Sequence, residues 1–236
     1  MGKDKLRRFD ELGQFERVFQ PGIEEISGKE YYLKGRWREL VFGNNSPIIL
    51  ELGCGKGEYT VGMARHFADK NFIGVDIKGA RMWKGAKASH EEKILNASFL
   101  RTRIELISSF FGSGEVDEIW ITFPDPQPTE RRKKKRLTSS GFLKLYQGFI
   151  KEGGIVHLKT DSDQLYQYTL SLVESNELEI LCERSDLYKG SDPLDPILEI
   201  KTYYEQKFLD KGLNINYLKF KLKTNIPLHE SPEKEG

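Results

Sequence analysis

Apolar positions along this chain fall into two rhythms. Short, largely apolar runs read as seven strands, at Ile48–Leu52, Phe72–Asp76, Ser98–Thr102, Val116–Phe123, Gly154–Lys159, Glu179–Glu183 and Tyr217–Leu222. Between and after them, longer segments with a helical period occupy 58–67, 78–95, 138–150, 161–176 and 202–210. In the first of these, Val61, Met63, Ala64 and Phe67 make one inward stripe. Strands alternating with helices predict an α/β fold, a mainly parallel seven-stranded sheet covered by helices on both faces. The regular pattern begins at Ser46. Residues 1–45 therefore read as a basic and aromatic N-terminal arm, partly helical near 35–42, residues 46–224 as the domain, and 225–236 as a flexible tail.

One junction interrupts the pattern informatively. The apolar run Ile48-Ile49-Leu50 ends in an acid, Glu51, and the strand continues through Leu52 into Gly53-Cys54-Gly55-Lys56-Gly57-Glu58, with a helix directly behind. Strand, glycine turn and helix open a nucleotide-like pocket at the carboxyl edge of an α/β sheet. A dinucleotide fingerprint spaces its glycines Gly-x-Gly-x-x-Gly and offers a helix N-terminus to a pyrophosphate. Here the glycines stand at 53, 55 and 57, and Glu58 would repel a phosphate. A ligand with a cationic centre and an amino-acid end suits this turn better, which points to S-adenosyl-L-methionine. Asp76 closes the second strand, where one carboxylate can accept both hydroxyls of a ribose.

Composition narrows the class. With 236 residues the chain can bury a full core. Basic and acidic residues nearly cancel, leaving a formal charge of +1, so affinity for a polyanion must come from local clustering. Such a cluster exists at Arg131-Arg132-Lys133-Lys134-Lys135-Arg136. It follows Phe123-Pro124-Asp125-Pro126-Gln127-Pro128, in which prolines stiffen Asp125 from both sides at the end of the fourth strand. A carboxylate pinned beside a ligand pocket suits substrate positioning, and the adjacent cations suit a phosphate backbone entering it. The two cysteines lack disulfide or metal-ligand spacing, and the four histidines are scattered, so no metal is expected. The charged N-terminus is no signal peptide and no apolar run spans a membrane, as expected of a cytoplasmic protein. Asp161, after the fifth strand, and the segment Thr202-Tyr203-Tyr204-Glu205 read from physics alone as helix N-caps.

These residues carry a resemblance. Lys34-Gly35-Arg36-Trp37, Glu51 to Gly57, Phe123 to Pro126, Lys134 to Thr138, Lys159-Thr160-Asp161 and Thr202 to Glu205 occur in an order similar to that of the bacterial tRNA (guanine-N7-)-methyltransferase family. The resemblance covers most of residues 33–222. It implies a Rossmann-like class I S-adenosylmethionine-dependent methyltransferase, acting on the variable-loop guanosine (position 46) of tRNA as a monomer or homodimer. It further implies cofactor binding by Glu51, Gly53, Gly55, Gly57, Asp76, Asp125 and either the backbone around Arg103 and Ile104 or, in its place, Glu105, with Asp125 also catalytic. Thr129, Arg132, Asp161, Thr202, Tyr203, Tyr204 and Glu205 become substrate-binding positions. The chain departs from the family pattern at Gln127, where Trp is usual, at Thr129, where Lys is usual, at Arg131-Arg132, and at Arg103, which replaces an acid.

Two other classes compete. A small-molecule methyltransferase shares the glycine turn and Asp76 but has no use for six clustered cations. A non-catalytic RNA-binding module keeps the cations but needs neither Glu51 nor Asp76.

Overall fold

The computed structural model describes residues 2–189 and 193–230. Among them, eight strands form one sheet: β1 (Val18–Phe19), β2 (Ile48–Leu52), β3 (Asn71–Asp76), β4 (Ala97–Arg101), β5 (Val116–Thr122), β6 (Ile150–Thr160), β7 (Ile180–Arg184) and β8 (Asn216–Leu222). Their order across the sheet is β1-β4-β3-β2-β5-β6-β8-β7. Strands β1 to β6 run parallel, and β8 lies antiparallel between β6 and β7.

The eighth strand corrects the expected count of seven. It lies in the N-terminal arm, pairs Val18 with Phe99 and Phe19 with Leu100 on the sheet edge, and is too short to show any period. The same arm contains α1 (Gly2–Leu12), which packs on α4 (Gly79–Glu91), and α2 (Ile23–Ile26). Trp37 from the Lys34–Trp37 motif is fully buried, and its indole N–H donates to the Phe110 carbonyl at 2.8 Å. The Glu115 carboxylate accepts the backbone N–H groups of Gly35, Trp37 and Gly112 at 2.7–3.0 Å. That motif thus anchors the arm to the domain.

Alternation along β2 sorts the core into two layers. Ile48, Leu50 and Leu52 join Trp37, Phe110 and the inner faces of α5 (Ser140–Gln147) and α6 (Asp163–Ser175). Ile49 faces the other way, onto Tyr59 and Met63 of α3 (Glu58–His66) and onto Trp120 and Tyr217. The short helices α7 (Pro196–Glu199) and α8 (Tyr203–Leu209) complete that second layer through Ile197, Leu198 and Phe208. Helices therefore cover both faces, as expected. The chain leaves β2 toward β3 and β4 on one side, then returns to β5 and β6 on the other. A crevice opens at that switch, above the carboxyl ends of β2 and β5.

Of the tail, residues 226–230 lie against the body. Leu228 is fully buried, and Asn176 exchanges two hydrogen bonds with the backbone of His229. Residues 231–236 lie outside the described residues.

Candidate active site

The glycine turn is built on left-handed backbone at Gly53, Gly55 and Gly57, with φ of +79°, +55° and +69°. The N–H groups of Gly53 and Cys54 both donate to the Val75 carbonyl, and that of Gly55 donates to Asp76 Oδ2 at 2.9 Å. Because these amides are folded back onto β3, they form no cradle for a phosphate. Gly57, expected among the cofactor positions, does not line the cavity above the turn. A Cβ there would stand 2.7 Å from Phe99 and 3.2 Å from Gly85 Cα, so its task is to let α3 and α4 approach.

Above the turn lies a cavity of about 570 Å³. It joins Glu51, the turn, Asp76, the proline loop with Asp125, Asp161, and Thr202 with Tyr204. Glu51 is 2% exposed. One of its oxygens accepts the backbone N–H and the hydroxyl of Thr60, and the other accepts the Thr122 hydroxyl at 2.7 Å. Burial outweighs these donors and pushes its pKa up to about 7. The two threonines were not singled out in the sequence; the available signal was a hydroxyl ending the apolar run of β5. Asp76 accepts from Lys78 N at 2.7 Å through Oδ1. Beside it Ile77, 47% exposed, offers an apolar face on the cavity wall.

Asp125 is exposed and stands between two strained residues, Phe123 and Gln127, whose φ values of +48° and +46° are unusual outside glycine. Its Oδ1 accepts from Gln127 N at 3.1 Å. Asp161 is half-buried, and desolvation raises its pKa. The N-cap of α6 is Ser162, whose hydroxyl accepts from Leu165 N, so Asp161 is left to the cavity. Thr202 caps α8, as its sequence setting predicts, by accepting from Glu205 N at 3.2 Å, and it also lines the cavity.

Several expected site residues stand elsewhere. Glu205 is fully buried, with Oε1 2.7 Å from Lys159 Nζ and accepting the Tyr188 hydroxyl at 2.6 Å. It forms a core ion pair and does not line the cavity. Tyr203 faces outward beneath the Lys56 ammonium, 3.6 Å from its ring, and Tyr204 takes the place on the wall. Arg103 and Ile104 do not line the cavity; Arg103 is exposed and Ile104 packs on the core. On that side Lys78 and Arg81 line the wall instead. Thr129 and Arg132 are exposed on the short 3₁₀ helix region beyond the proline loop. The cationic run divides there. Arg131, Arg132, Lys134 and Lys135 are exposed, whereas Arg136 is 1% exposed.

His157 is a core group. It stacks on Trp120 at 3.8 Å and shares hydrogen bonds with Tyr217 and Glu118, and burial lowers its pKa to about 4, leaving it neutral. Among the described residues no cluster of three or more His, Cys, Asp or Glu could hold a metal ion, and no helix is long and apolar enough to cross a membrane.

The donor set fits a ligand of this chemistry: two acids for a cation and a diol, an apolar wall for a flat ring, and glycine-turn amides already paired with Val75 and Asp76. A family model described as "Putative methyltransferase" matches residues 45–218. The chain is 50% identical over 230 residues to the tRNA (guanine-N(7)-)-methyltransferase of Bacteroides thetaiotaomicron, covering 98% of this chain and 90% of that one. It is 52% identical over 221 residues to the enzyme of the same name from Christiangramia forsetii, covering 94% and 99%. The chain belongs to the tRNA (guanine-N(7)-)-methyltransferase family. Among solved structures, the 16S rRNA methyltransferase KamB superposes with a TM-score of 0.60 at 13% identity, over 78% of this chain and 92% of that one. That likeness concerns the fold, and it matches the class I methyltransferase sheet.

Proposed function

We propose that this protein transfers the methyl group of S-adenosylmethionine to N7 of a guanine in tRNA, in the cytoplasm. The observation that carries the reading is the shared cavity, in which the glycine turn and the proline-clamped Asp125 face one space beside exposed cations. The names of the near-full-length relatives support it. The catalytic unit is residues 46–224, to which the arm 1–45 adds an edge strand.

S-adenosylmethionine, when bound, supplies an electrophilic methyl group on a sulfonium sulfur. Asp76 suits the ribose hydroxyls, and Glu51 the amino-acid end. Guanine N7 carries a free lone pair at neutral pH, so no residue need remove a proton before attack. The protein's work is then placement and electrostatics. Methylation leaves positive charge on the purine. Asp125, accepting from the Watson–Crick edge, holds the base more tightly as that charge develops, which concentrates stabilisation in the transition state. Asp161, Thr202 and Tyr204 border the space for the base, and Arg131, Arg132, Lys134 and Lys135 neutralise backbone phosphates.

The test is incubation with labelled S-adenosylmethionine and bulk tRNA, with free nucleosides as control, followed by digestion of the RNA. Label recovered as 7-methylguanosine supports the reading. Label in the free nucleosides points to a small-molecule enzyme, and no transfer to either points to an RNA-binding module.

A further inference from the structure

We infer that Arg136 is a positioning residue, a buried clamp that fixes the proline loop and thereby aims Asp125, and that it does not share the phosphate-binding task of its exposed neighbours. The inference rests on the reading of Asp125 as the catalytic carboxylate.

The loop needs such a clamp. Phe123 and Gln127 hold left-handed backbone without being glycine, a conformation that persists only when the surroundings over-determine it. Phe123 N donates to the Lys159 carbonyl at 2.8 Å, which fixes the entry to the loop. Its far side is fixed by Arg136. The guanidinium donates through Nε to the carbonyls of Pro126 and Gln127, at 3.2 and 3.3 Å, and through a terminal nitrogen to Gln127 at 3.2 Å. Gln127 N in turn donates to Asp125 Oδ1, so the clamped peptide touches the carboxylate directly.

Behind the guanidinium stands a support that a phosphate ligand would not need. Its centre lies 4.3 Å from the Tyr168 ring of α6. The Tyr168 hydroxyl donates to Glu230, whose other carboxylate oxygen accepts from the Ser140 hydroxyl at 2.8 Å. The tail residue Glu230 is thereby linked to Asp125 through Tyr168, Arg136 and Gln127. A planar fork stacked on an aromatic face does this work, and a lysine ammonium would not reproduce it.

The test compares Arg136→Lys, which keeps the charge, with Tyr168→Phe, which keeps the ring and loses only the hydroxyl. Lys134→Gln, an exposed neighbour, is measured alongside. For Arg136→Lys we expect kcat on tRNA to fall by about tenfold to a hundredfold, the scale of a misplaced catalytic group, while the cofactor Kd stays within about twofold of wild type. Tyr168→Phe should give a smaller loss of the same kind. The salt dependence of tRNA binding should stay unchanged for both, whereas Lys134→Gln should weaken it by about one unit of slope. Hydrogen exchange over residues 123–129 should quicken in both clamp variants and not in Lys134→Gln. This last readout needs no substrate, so it decides the clamp even if tRNA proves to be the wrong acceptor. Unchanged exchange over the loop, or a loss confined to tRNA affinity with a reduced salt slope, would overturn the inference.

Discussion

Glu51 makes the sharpest quantitative demand on this structure. Its carboxyl is 2% exposed, and its pKa lies near 7 in the fold against an ordinary value of 4.5. A raised pKa means the folded state binds the proton more tightly than the unfolded state. The stability this contributes is fully present below about pH 4.5, declines as pH rises, and is gone above about pH 7. The total loss is 1.36 kcal/mol for each of about 2.5 units, or about 3 kcal/mol. Glu51→Gln removes the titration and keeps an acceptor for Thr60 or Thr122. His157 works in the opposite sense, because its lowered pKa makes stability rise between about pH 4 and 6.5. It is present in both proteins, so it cancels in the difference between them. Urea unfolding of both proteins at constant ionic strength, across pH 5 to 8, should show wild type losing stability relative to the variant up to pH 7 and then running parallel. A flat difference, or one rising with pH, would refute the assignment of Glu51 as a strongly desolvated acid. A cationic ligand prefers the ionised carboxylate, so cofactor binding to wild type at pH 6 should release a proton. Calorimetry in buffers of different ionisation enthalpy reads that proton, and Glu51→Gln should lack it.

Three further outcomes follow from geometry. Asp125→Asn should lower kcat far more than it weakens the cofactor Kd; equal losses in steady-state rates and equilibrium titration would remove Asp125 from its role. Gly57→Ala places a Cβ 2.7 Å from Phe99 on left-handed backbone, and thermal unfolding should show a cost of at least about 1–3 kcal/mol together with weaker cofactor binding. Lys159→Met leaves Glu205 buried without its cation and should cost about 3–5 kcal/mol in denaturant unfolding, most of it recovered in the double variant Lys159→Met with Glu205→Leu.

The elements legible in the sequence were those whose cause is local. Glu51 and Asp76 end apolar runs, and the strand period places such residues at the carboxyl edge without further information. Asp125 was legible because the flanking prolines declare a rigid turn. What failed to show was set by partners distant in the chain. Glu205 has the same local setting as a capping-box acid, and only Lys159, on β6, turns it into a core ion pair. Arg136 looks identical to five other cations in a row, yet Tyr168 and the proline loop draw it inside. The two residues of β1 carry no period, and their pairing depends wholly on Phe99 and Leu100 already lying in place. The crowding of Gly57 was equally hidden, because Phe99 and Gly85 press on it from elements that the glycine motif does not contain.

The position of β8 has a consequence for biosynthesis. It is the last of the described strands in chain order, yet it sits inside the sheet between β6 and β7, and it pairs with β6 along Gly154–Thr160. Until residues 216–222 emerge, β6 presents an open hydrogen-bonding edge, and the strand that bears Lys159 and leads to Asp161 lacks one neighbour. A nascent chain stalled before that point therefore displays an incomplete sheet whose open edge invites pairing with another chain.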